Sequence, residues 1–195
     1  MSKSLRFALV AVLMTVVGMG LKAQGVGLKT NLLYDATATI NAGLEFGLAP
    51  KWSLDVSGNF NGWTISEQTW KHWMLQPEAR YWFCDRFAGH FLGVHAIGGQ
   101  FNWGHLKHAN DFLNSPFSYL KDHRVQGWGV GAGIAYGYTW VLNRHWNFEA
   151  EIGVGFIQTW YDVYNCQDCA SKIASDKKHT YYGPTKAALN LVYVF

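Results

Sequence analysis

Apolar and polar residues alternate with a period of two along most of this chain, the signature of strands with one apolar face. Eight such stretches can be read. The first runs from about Val26 to Tyr34, with Val26, Leu28 and Thr30 facing one way and Gly27, Lys29 and Asn31 the other. A short link at Asp35-Ala36-Thr37 leads to the second, where Ile40, Leu44 and Phe46 oppose Asn41, Gly43 and Glu45. Ala49-Pro50-Lys51 makes a tight turn, because proline presets the first turn position. The third, Trp52 to Asn61, has the cleanest alternation, with Asp55 on its polar face. After a loop from about Trp63 to Lys71, the fourth sets Trp73, Leu75, Ala79 and Tyr81 against Gln76, Glu78 and Arg80. Pro77 lacks an N–H and predicts a bulge or a broken ladder bond there.

Cys84 to Gly89 is a second short turn. The fifth stretch, His90 to Asn102, alternates least well and predicts a register change near Gly98-Gly99. A loop from Trp103 to Asp122 precedes the sixth, Arg124 to Val141, whose second face is nearly all glycine. Asn143-Arg144-His145 turns into the seventh, from Trp146 onward, with Glu149 and Glu151 on its polar face. A polar loop is expected over Tyr161 to Tyr182, and the eighth stretch closes the chain from Ala187 to Phe195. The reading is therefore all-β: an eight-stranded antiparallel up-and-down barrel. Its short turns fall at one end, together with both chain termini, and its longer loops at the other.

Alternation cannot say which face points inward, but the residue types can. The apolar face carries Trp52, Trp73, Tyr81, Trp140, Trp146, Trp160 and Tyr193 near strand ends, as aromatic girdles do at the two interfaces of a bilayer. Glycine has no reason to line a wet surface but makes room in a narrow eight-stranded lumen. Hydrophobic residues make up 49% of the chain and charged ones 15%, against about a quarter charged in a soluble domain. These features favour a transmembrane barrel over a soluble, lipocalin-like one. The polar face then lies inside. It brings together Lys29, Arg80 and Lys186 with Glu45, Asp55, Glu78, Glu149 and Glu151, and His95 is a further candidate. Buried charges must be paired, so a salt-bridge network that plugs the lumen is expected. Acids outnumber bases there, which predicts one or two carboxyls held protonated or touching water.

The start of the chain has a different build. Lys3 and Arg6 precede an apolar run from Phe7 to Val17, and Leu21-Lys22-Ala23 ends it. This is the layout of a secretory signal peptide cleaved after Ala23, leaving a single domain over residues 24–195. The apolar run is shorter than the ~20 residues a membrane-spanning helix needs. Removing Lys3, Arg6 and Lys22 leaves thirteen bases against thirteen acids, so the basic character belongs to the leader and no nucleic-acid surface is implied.

Chemical motifs are few. Cys166-Gln167-Asp168-Cys169 reads as a small disulfide in an oxidising compartment, since it lacks the helix start of a redox site and the further ligands of a zinc site. Cys84 is left over. Glu149 and Glu151 could be paired as acid and base for glycoside hydrolysis, but mid-strand in a filled lumen they read as salt-bridge partners. His105, His108 and His123 could bind a metal, but no acidic partner is fixed beside them. Ser115, Ser118 and His123 could serve a lipid-modifying enzyme, without any specific spacing. The glycines from Gly127 to Gly133 lie in a strand with no helix after it, so they form no dinucleotide loop. No catalytic residue, metal or cofactor is expected.

The closing strand, ending on Tyr193 and Phe195, resembles the assembly signal of bacterial outer-membrane barrels. Lys29 to Asp35, Pro77 to Trp82, Cys84 to Phe91 and the closing Leu191 to Phe195 together resemble a Bacteroidota family of small outer-membrane barrels classed as a domain of unknown function. The resemblance covers nearly the whole mature chain. It implies an OmpA-transmembrane-like fold, an outer-membrane location, contact with outer-membrane lipid and handling by the barrel-assembly machinery. It supplies no catalytic residues. Some relatives look to be encoded beside fimbria components. The expected function is a non-enzymatic structural or surface-interaction role, with a surface or periplasmic protein partner and a place in fimbria or envelope assembly. The alternatives are a lipid-modifying barrel enzyme and an accessory that docks a periplasmic partner through Cys84.

Overall fold

The computed structural model describes residues 25–65, 68–104, 120–121, 123–165 and 172–195. In chain order the elements are β1 (Val26–Asn31), α1 (Leu32–Ala36), β2 (Ile40–Ala49), β3 (Trp52–Asn61), β4 (Thr64–Ile65), β5 (Gln68–Trp82), β6 (Gly89–Gly104), β7 (Arg124–Val141), β8 (Trp146–Tyr164) and β9 (Lys172–Val194). Every pairing is antiparallel. β1 pairs with β9 and β3 with β5, so the sheet closes into a ring of eight strands. β4 is a two-residue ladder on β5 beside the ring. Among the described residues no helix is long and apolar enough to cross a membrane.

The burial pattern is inside out. The largest fully buried side chains include Arg80, Glu45, Glu78 and Glu149, whereas Val94 and Ile134 are each 63% exposed. A ring this narrow can enclose only one row of side chains per strand, and the polar row is the enclosed one. The glycines of β7 are part of that row. A Cβ on Gly133 would lie 2.8 Å from His95 Nε2 and from Thr185 Oγ1, and one on Gly137 would strike the Phe91 ring.

Several expected boundaries move. The first strand ends at Asn31 rather than Tyr34. Asn31 turns its side chain onto the Leu33 N–H and starts the short helix α1. Asp35 then accepts from Thr30 Oγ1 and Asn41 Nδ2 and holds this link closed. β5 begins at Gln68, inside the stretch read as loop. The register change near Gly98-Gly99 is absent, since β6 keeps one register with β7 from end to end and with β5 on both sides of Pro77. Gly99 instead admits close strand approach: a Cβ there would sit 2.9 Å from Met74 Cα. Opposite Gln76 and Pro77 the β5–β6 ladder is interrupted while register is kept, so Pro77 breaks a bond without a bulge.

The largest correction concerns the region read as the longest loop. β8 continues to Tyr164 and β9 begins at Lys172, which carries this hairpin well beyond the ring. Its inner side is not a polar loop. Val163 packs with Val125 and Leu120 under Phe101, Trp103, Tyr161 and Ala174, and this apolar cluster holds the tall side of the sheet in strand form.

Candidate functional site

The centre of the molecule is an ion cluster around Arg80. The guanidinium of Arg80 donates to Glu78 Oε1 at 2.6 Å, Glu151 Oε2 at 2.7 Å, and Glu45 Oε2 and Glu149 Oε2 at 3.0 Å each. Lys29 bonds Glu45 at 2.5 Å, and Lys186 bonds Glu78 at 2.8 Å and lies 3.1 Å from Glu151. These residues come from β1, β2, β5, β8 and β9, and each sits in its ladder where the pleat points it inward. The eight charged residues named from the alternation thus lie in one buried cluster. His95 adjoins it, with Nδ1 3.6 Å from Glu78. Glu149 and Glu151 are both held by Arg80, and Glu149 also accepts from Thr139 and Asn190.

Asp55 is the exception in the cluster. Both its carboxylate oxygens lack hydrogen bonds, although Lys29 and Arg80 lie 3.5 Å away and Lys186 3.8 Å. It borders a cavity of about 20 Å³ lined also by Lys29, Lys186, Ser57, Asn59 and Asn190. That volume holds one water, and the lining offers the polar partners a buried water needs.

Below the cluster the lumen is closed by aromatic rings. Trp82, Phe87 and Phe91 form a buried floor, and the Arg80 guanidinium lies 4.4 Å from the Phe91 ring centre. Trp82 Nε1 donates to Ser53 Oγ, which in turn donates to Glu45, so the floor is tied to the ions. Phe87 adopts a positive φ of 62° in the short turn, and Asn147 Nδ2 donates to its carbonyl oxygen. Above the cluster, Thr185 Oγ1 lies 2.9 Å from His95 Nε2, and Gln76 Nε2 donates to the Thr185 carbonyl. Thr185 reaches this place through a bulge. Val154 pairs with Pro184 and Gly153 with Lys186, so two consecutive residues of β9 point inward.

The alternation did not single out the floor or the bulge. Phe87 falls in the expected short turn and Phe91 in the stretch that alternates least well, so nothing local marks them as floor. The bulge had a signal: Gly183-Pro184 inside a strand, where proline has no N–H for the ladder.

The remaining candidates fall elsewhere. Tyr193 faces outward, packed edge-on against Trp146 and Phe195 with ring centres 5.1 Å apart in each pair. Cys84 is a free, exposed thiol. Cys166, Cys169, His105, His108, Ser115, Ser118 and the leader lie outside the described residues. His123 is half-buried at the start of β7. Among the described residues, no three His, Cys, Asp or Glu side chains are grouped to hold a metal ion.

An ion-filled ring of this kind supplies stability and closure rather than an open cleft. The model of one protein family matches residues 8–195, nearly the whole chain. The chain belongs to DUF3575, a family of proteins of unknown function. No curated protein matches it. For this DUF3575 member the description therefore rests on its own geometry: a solid ionic core and a surface that is apolar around the ring.

Proposed function

We propose that this chain is an outer-membrane β-barrel, exported behind a cleaved leader at residues 1–23. Its role is non-enzymatic, as a structural or surface-interaction protein of the envelope, with fimbria or envelope assembly as the process it serves. The observation that carries this reading is the exposed apolar belt around a sealed ionic core. Leu28, Leu44, Leu75, Val94, Val130 and Ile134 all face outward and are exposed. On a soluble monomer a continuous apolar surface of this extent would drive aggregation.

Aromatic rings border the belt at both ends. Trp52, Tyr81, Phe83, Trp140, Trp146 and Tyr193 ring the end with the short turns, and Phe60, Trp73 and Trp128 the other. Tyr81 and Trp73 are eight residues apart on β5, about 21 Å along the axis for strands tilted by ~40°. An outer-membrane barrel presents an apolar band of about 25 Å. The lumen supports a plugged barrel rather than a pore, because Arg80 and its carboxylates fill it above an aromatic floor. Arg80 engages both Glu149 and Glu151, which supports a structural role for this pair.

The deciding experiment is fractionation of cells expressing the full chain. The mature protein should begin at Gln24, sediment with outer membranes and run faster on gels unheated than boiled, as closed barrels do. Recovery of a soluble periplasmic product would refute the reading. Planar-bilayer recordings should show no conductance steps. Deletion of the gene followed by an envelope phenotype would identify the process.

A further inference from the structure

We draw no further inference here: the strongest candidate, the water-sized cavity beside Asp55 in the polar core of the ring, belongs to the ion cluster already described, and with Lys29 and Arg80 at 3.5 Å and Lys186 at 3.8 Å from that carboxylate nothing in its lining selects an occupant other than water.

Discussion

Replacing Arg80 by methionine should be among the most damaging single changes available in this barrel. The guanidinium is fully buried and reaches Glu78, Glu151, Glu45 and Glu149 within 3.0 Å, with Asp55 at 3.5 Å. At an effective dielectric near 20, each charge pair some 4 Å apart contributes about 4 kcal/mol of attraction. Desolvation offsets several kcal/mol per ion, so the gross sum is not the net effect. The loss of one partner is larger than the loss of a pair, because five carboxylates would be left facing Lys29 and Lys186 alone. Breaking a buried ion pair in this way costs about 3–5 kcal/mol. With a urea slope near 2 kcal/mol/M, the midpoint should fall by about 2 M. The assay is urea unfolding of the refolded barrel, followed by tryptophan fluorescence and by the unheated gel band. Trp82 is tied through Ser53 to Glu45 and so reports on the core directly. Adding Glu149→Gln to Arg80→Met should recover part of the loss, because one unpaired carboxylate disappears. An Arg80→Met midpoint within about 0.3 M of wild type would refute the argument that this cluster holds the ring together.

Other expectations test different links. Gly137→Ala should cost about 1–3 kcal/mol, because its methyl meets the Phe91 ring and the Ala150 carbonyl oxygen; outward Gly58→Ala, whose nearest neighbours lie at 3.8 Å, should move the urea midpoint little. Ile134→Arg places a charge mid-belt and should cost about 2–4 kcal/mol in a bilayer, and a near-zero effect there would argue against a lipid-facing surface. The Asp162 carboxyl is held below its ordinary range by the hydrogen bond from Lys172, which in turn keeps the Lys172 ammonium charged to higher pH. A depressed carboxyl contributes stability above its unfolded-state value and loses it as pH falls through the folded one; the carboxyl signal in NMR should therefore titrate below 3.8 in wild type and move up in Lys172→Gln. Thr185→Val removes the partner of His95 Nε2 and should cost about 1 kcal/mol without altering strand pairing, measured by urea unfolding and amide exchange.

What the linear sequence determined here is the identity of each row. Lys29, Glu45, Asp55, Glu78, Arg80, Glu149, Glu151 and Lys186 fall on the polar phase of their strands, and side-chain direction in a strand is set by parity alone. Trp52, Trp73, Tyr193 and their neighbours fall on the other phase for the same reason. Parity is local, so it survives without knowledge of partners. Strand length, floor and bulge depend on partners. β8 and β9 extend past the expected boundary because Val163, Val125 and Leu120 pack together with Phe101, Trp103, Tyr161 and Ala174, a cluster that spans β6 to β9. Phe87 and Phe91 become a floor only because both meet Trp82 inside the ring and Gly137 leaves space for the Phe91 ring. Thr185 joins the core because the ladder must skip a residue where Pro184 has no N–H to give. Which carboxylate pairs with which cation was likewise decided by closure of the ring, which brings carboxylates of β2, β3, β5 and β8 around one guanidinium at distances no stretch of sequence encodes by itself.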